Sequence, residues 1–178
     1  YTVAAHIMNK RMDSMNMITV DIPIDPVREY LKEKRRQGTP LSHLAVVIAA
    51  YLRTAAEYPE LNRFISNCKP YARREFSVAM VVLKSGKMDN GTMSKMYFEQ
   101  DQTVFDVNRV INEYVEKNKN TPEKNGTERM IKILLSFPGV LRFGVGLFRF
   151  MDRHGLLPYG VIRMSPFHSS LAISDLAS

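Results

Sequence analysis

The chain has 178 residues, 45% of them hydrophobic, and carries 25 Lys and Arg against 18 Asp and Glu for a formal charge of +7. That length and apolar content suit one domain with a real core and exclude a wholly disordered chain. A single cysteine, Cys68, excludes an internal disulfide framework and a Cys-rich zinc site and fits a reducing, cytoplasmic setting. The positive surplus favours anionic partners: nucleic acid, a membrane face, or the phosphates of a nucleotide-bearing cofactor such as coenzyme A.

The sequence opens at Tyr1 without an initiator methionine and stops at Ser178 inside a strand-like run, so both ends read as cut. Residues 1–16 hold no apolar block of signal-peptide type, and the uncharged stretch Ile133 to Leu141 falls far short of the roughly 20 residues a spanning helix needs. No internal repeat or low-complexity tract divides the chain, which reads as one unit over 1–178.

In chain order, Met17 to Ile24 alternates Ile18, Val20, Ile22 and Ile24 against Thr19, Asp21 and Pro23, which predicts a half-buried edge strand. Asp25 and Pro26 open a short amphipathic helix with the stripe Val27, Tyr30 and Leu31, closed by Lys34-Arg35-Arg36 and Gly38. Thr39-Pro40 starts a second helix, Leu41 to Ala56, apolar around most of its circumference and so central. After a short run from Leu61 to Ile65, Phe76 to Leu83 reads as a strand buried on both faces. Lys84 to Thr92 has hairpin-loop chemistry, and Met93 to Glu99 returns as a strand.

Thr103 and Asp106 form a capping box with Asp in place of Glu, ahead of a helix through Val104, Val107, Ile111, Tyr114 and Val115. Asn118 to Thr127 is a polar loop. From Glu128 to Arg153 large apolar residues are studded with arginines. Pro138 and the Gly144/Gly146 pair predict two helices there, with Gly155 as the C-terminal cap. This segment, a helical insertion at about 128–157, reads either as a lid over an apolar pocket of its own domain or as a membrane-surface element, the lid being the preferred reading. Ser169 to Ile173 suits a final strand, which completes an α/β pattern.

Histidine is the usual proton carrier near neutral pH, and four are present. His43 lies in the first turn of the buried helix and reads as structural, whereas His6 and His154 sit at segment ends in solvated or capping positions. His168 precedes Ser169 and Ser170, but neighbouring residues in a strand point to opposite faces, so a His168–Ser169 base–nucleophile pair is geometrically poor. Cys68, in a polar turn beside Lys69, reads as a spectator thiol. No phosphate-binding glycine loop, paired-histidine metal spacing or nucleic-acid recognition pattern occurs, so neither a metal nor a nucleic-acid partner is expected.

The order of RMDSMNMITVDIPIDPVREYLKEKRRQ, PLSHLAVVIAAYLRTAAEYPELNRFI, FSVAMVVLKSGK and SSLAISDLAS resembles the catalytic domain of the chloramphenicol acetyltransferase and dihydrolipoamide acyltransferase family. Leu31 and Arg35 match the family's first helix. Pro59-Glu60-Leu61-Asn62 matches the tetrapeptide that ends its second, and Leu171 to Ala177 matches its late serine-bearing strand. The resemblance implies a mixed sheet flanked by helices, incomplete at the C-terminus, assembled as a homotrimer with sites between subunits. It further implies acyl transfer from coenzyme A or a lipoyl group to a small acceptor, with a histidine base and a serine that donates to the oxyanion. Ser174 is the dihydrolipoamide acyltransferase match for that serine, and the chloramphenicol acetyltransferase register selects Ser169 instead. The family base lies in a His-x-x-x-Asp-Gly motif, and none of the four histidines is followed by it. No lipoyl-domain motif is present, which favours free coenzyme A. A non-catalytic homologue serving assembly and a basic membrane-surface module are the alternatives, and the sequence beyond Ser178 separates the first of these from an enzyme.

Overall fold

The computed structural model describes residues 15–83, 91–119 and 139–174. Their order is α1 (Asp25–Arg36), α2 (His43–Glu57), a 3₁₀ turn (Pro59–Asn62), β1 (Arg63–Ser66), β2 (Lys69–Ala72), β3 (Phe76–Leu83), β4 (Gly91–Phe98), α3 (Val104–Lys119), α4 (Val140–Arg153), α5 (Tyr159–Met164), a second 3₁₀ turn (Pro166–His168) and β5 (Leu171–Ile173). The architecture is mixed α/β, as the sequence pattern implied.

Local chemistry accounts for most boundaries. In α1, Asp25 and Pro26 occupy the first turn and Lys34, Arg35 and Arg36 the last, so side-chain charge complements the helix dipole at both ends. Gly38, at φ +80°, takes the chain out of the helix. The cap of α2 is not at Thr39 but at Ser42, whose Oγ accepts from the Ala45 N–H at 3.1 Å. The capping box of α3 forms as the sequence predicts: the Asp106 carboxylate accepts from the Thr103 N–H at 3.1 Å and its hydroxyl at 2.7 Å. Those hydrogen bonds hold Asp106 below the usual carboxylate pKa.

β1 and β2 form a hairpin that the sequence reading missed on its second side, where Pro70 stands opposite Ile65. Its turn residues Asn67 and Cys68 have φ of 47° and 56°, the pair of left-handed residues a tight two-residue hairpin turn requires. A three-stranded sheet runs β4-β3-β5, with β4 antiparallel and β5 parallel to the central β3.

This sheet has two different faces. On one, Phe76 and Val78 of β3 and Met96 and Phe98 of β4 meet Ala45, Ile48, Leu52 and Ala55 of α2 and Val107 and Ile111 of α3 in a closed apolar core. On the other, Ser77 pairs with Tyr97 and Ala79 with Lys95, and these polar side chains turn toward the segment 155–168. The expectation that β3 is buried on both faces therefore holds at Phe76–Ala79, each 2% exposed or less.

Two sequence expectations fail. Residues 17–24 form no strand: Ile18, Val20, Ile22 and Ile24 lie exposed, because the alternation supplies a face but does not bring the segment to the open edge of β4 or β5. Gly144 and Gly146 do not break α4, which runs unbroken from Val140 to Arg153. Each glycine costs a helix only about 1 kcal/mol, which is not enough to stop it. Gly155, at φ +70°, ends that stretch as expected. The predicted hairpin loop 84–92 lies mostly, and the loop 118–127 and the first part of 128–153 largely, outside the described residues, as do His6 and the late block beyond Ser174. Among the described residues no helix is long and apolar enough to cross a membrane.

Candidate functional site

The polar face of the sheet opens on a cavity of about 480 Å³. The β1–β2 hairpin supplies one wall with Phe64, Ile65 and Ser66, β3 and β4 supply its floor with Ser77, Lys95 and Tyr97, and the C-terminal end of α4 with the chain to His168 closes the far side.

His168 is the group with acid–base chemistry on this wall. Its Nε2 lies 2.7 Å from Oδ1 of Asp152, and its Nδ1 lies 2.9 Å from Oγ of Ser165. The ring is 16% exposed and Asp152 46%, so the pair reaches solvent through the carboxylate. Ser165 precedes the 3₁₀ turn, and a serine three residues before a histidine in such a turn meets it on one side. With the serine hydroxyl donating to Nδ1, Nε2 carries the proton and donates it to Asp152.

Two cations fasten this turn to the sheet. The carbonyl of His168 accepts from Arg73 Nη1 at 2.8 Å and from Lys95 Nζ at 2.9 Å, and Lys95 also donates to the Ile162 carbonyl at 3.2 Å. Burial lowers the Lys95 pKa, and neighbouring Arg73 lowers it further against the opposing charge of Glu75. Tyr97 donates to the Arg163 carbonyl at 2.6 Å with the Arg163 guanidinium 5.3 Å from its ring centroid, and its pKa is raised first by burial and then by Glu75. The Ser66 hydroxyl, also on the wall, is buried with no hydrogen-bond partner among the described residues.

The sequence-predicted residues are scattered around this site. His168 is in it, but not on a strand as expected. The turn at Pro166–His168 removes the alternation argument, and Ser165 and Asp152 are its partners instead of Ser169. Ser169 follows directly, half-buried, while Ser174 is exposed just beyond β5. His154 bonds the Phe150 carbonyl at 2.8 Å through Nδ1 at the end of α4, the capping role expected of it, and His43 is exposed at the start of α2. Cys68 sits in the hairpin turn as a free thiol. Among the described residues no group of three His, Cys, Asp or Glu side chains comes together as a metal site.

Asp152, Lys95, Arg73 and Tyr97 were not singled out by sequence. Asp152 and His168 are 16 residues apart with a helix end between them, a separation that no local pattern encodes.

No family model matches the chain, and no curated protein matches it. Part of the fold is similar to a crystal structure of probable dihydrolipoamide acetyltransferase from Listeria monocytogenes 4b F2365, at 16% identity and a TM-score of 0.41 over 57% of each chain. The chain thus spans little more than half the length of that protein, and so slight a likeness carries no argument about activity.

Proposed function

We propose that this chain is an acyltransferase that moves an acyl group from a thioester, on coenzyme A or a lipoyl arm, to a small acceptor held in the cavity beside His168. The observation that carries the proposal is the Asp152–His168 pair, 2.7 Å apart on the wall of a cavity with an apolar side at Phe64, Ile65 and Leu157. The resemblance of the sequence blocks to the chloramphenicol acetyltransferase and dihydrolipoamide acyltransferase family supplies the reaction class.

In this reading the acceptor's hydroxyl or thiol takes the place of the Ser165 hydroxyl at His168 Nδ1 and gives that nitrogen its proton as its oxygen or sulfur attacks the thioester carbonyl, while Asp152 at Nε2 steadies the imidazolium. A hydroxyl holds the resulting oxyanion, the carbon–sulfur bond breaks, and the departing thiolate recovers the proton. The choice of oxyanion donor follows the choice of base. Ser169 adjoins His168, whereas Ser174 lies four residues beyond Ser170, about 13 Å at roughly 3.3 Å per residue. Ser169 is the candidate donor if Asp152–His168 is the base, and Ser174 the candidate if the base is another histidine. Trimeric assembly and a cytoplasmic location belong to the same proposal, and a monomer in sedimentation at micromolar concentration would remove the trimer from it.

The test is thioester turnover, read as thiol release from a panel of acyl-coenzyme A donors. Asp152→Asn keeps the shape of the pair, and the expected result is a fall in kcat of about 100- to 10,000-fold with KM little changed. Ser169→Ala is expected to cost about 100- to 1,000-fold. If both variants turn over normally while Ser174→Ala is crippled, the base lies outside this chain and the cavity is not the site of chemistry.

A further inference from the structure

Helix α4 was expected to lie as a lid on its own domain, yet its large apolar residues lie exposed, Val145 and Phe148 on one side at 42% and 39% and a fuller stripe on the other. Phe143, Leu147 and Phe150, at the i, i+4 and i+7 spacing of one helix face, are 74%, 48% and 55% exposed. Only its C-terminal residues Asp152 and Arg153 reach the cavity wall. Arg142 and Arg149, a further i, i+7 pair, lie beside this stripe and are exposed. The acidic residue of the helix, Asp152, is engaged by His168.

We propose that this face of α4 docks on an anionic lipid bilayer, with Phe143, Leu147 and Phe150 in the acyl boundary and Arg142 and Arg149 at the headgroups. Arginine suits that position because its aliphatic stem lies along apolar surface while its guanidinium stays with phosphate. The charge pattern argues against a second copy of the chain as the occupant. Two such faces laid together bring arginine flanks side by side, and the helix offers no unengaged carboxylate to answer them. The chain as a whole is also positive, at +7, so the approach to an anionic surface is favourable from a distance.

The experiment is co-sedimentation of the whole chain with extruded vesicles of phosphatidylcholine alone and of phosphatidylcholine with about one-third phosphatidylserine. Binding is expected to the serine-containing vesicles and to weaken with added salt. Replacing Arg142 and Arg149 together by Gln removes about fivefold in affinity for each, roughly 25-fold in all. Phe143→Ser with Phe150→Ser is expected to abolish retention while circular dichroism shows the fold intact. Equal binding to both kinds of vesicle, no binding to either, or binding indifferent to both pairs of substitutions overturns the proposal. So does self-association in sedimentation that Phe143→Ser dissolves, because the face would then belong to a second copy.

Discussion

Asn108 on α3 ties the start of α2 to the rest of the core, and replacing it by Ala tests whether that tie holds the two helices in register. Its Oδ1 accepts from the Ser42 N–H at 3.1 Å and from the Ser42 hydroxyl at 3.2 Å, and its Nδ2 donates to the Pro40 carbonyl at 3.2 Å. The side chain is nearly buried, at 9% exposure. In Asn108→Ala the Pro40 carbonyl, on an exposed residue, regains water and costs little. The Ser42 hydroxyl keeps its bond from the Ala45 N–H. The half-buried Ser42 N–H is stranded, at about 1–3 kcal/mol, and the truncated side chain adds a little lost packing. The expected loss is about 2–3 kcal/mol, read as a lower urea midpoint with an unchanged denaturant slope. Asn108→Asp keeps the acceptor toward Ser42 but sets its second carboxylate oxygen against the Pro40 carbonyl, so it too is expected to lose stability. A loss below about 0.5 kcal/mol for Ala refutes the reasoning.

Cys68→Gly relieves a left-handed residue in the β1–β2 turn and gives the Asn-Gly pair such turns favour, so it is expected to stabilise the chain by up to about 1 kcal/mol in the same denaturation assay, and a clear loss would contradict it. At alkaline pH two groups oppose each other. The folded chain holds the Tyr97 proton above the ordinary value of 10.0 while the unfolded chain releases it, so stability falls as pH passes that value. Lys95, depressed below 10.5, gains stability over the window leading up to it. Tyr97→Phe is therefore expected to remove the fall above about pH 10 when the denaturation midpoint is followed with pH, and an unchanged profile would place its cause elsewhere.

The parts of this fold legible in the sequence are those whose signals are local. The capping box at Thr103 and Asp106, the continuous apolar run of Phe76 to Leu83 and the closing Gly155 depend on neighbours within a turn or two, and each forms where the pattern puts it. The alternation of residues 17–24 is just as regular, yet a strand depends on a hydrogen-bonding neighbour that the pattern does not name. β2 was hidden by Pro70, which an isolated hairpin tolerates and a central strand does not. The site followed the same rule. His168 was visible as a candidate, but its partner Asp152 comes from another element, and the 3₁₀ turn that frees the ring from strand geometry ends just ahead of the Ser169–Ile173 run.

The pairing of β5 with β3 sets how this chain must fold. β3 and β4 close on each other over a short connection, but the second edge of β3 waits for the chain near Ser170, whose hydroxyl and backbone meet Ser77 across a separation of 93 residues. Closing so long a loop is slow relative to forming a hairpin or a helix, because the entropy is spent before any contact repays it. During synthesis β3 therefore emerges with one bare edge and stays so until nearly the whole described chain has left the ribosome. The rate-limiting step of refolding is expected to be the arrival of Leu171–Ile173 at that edge, and since the His168 turn immediately precedes it, the cavity forms last.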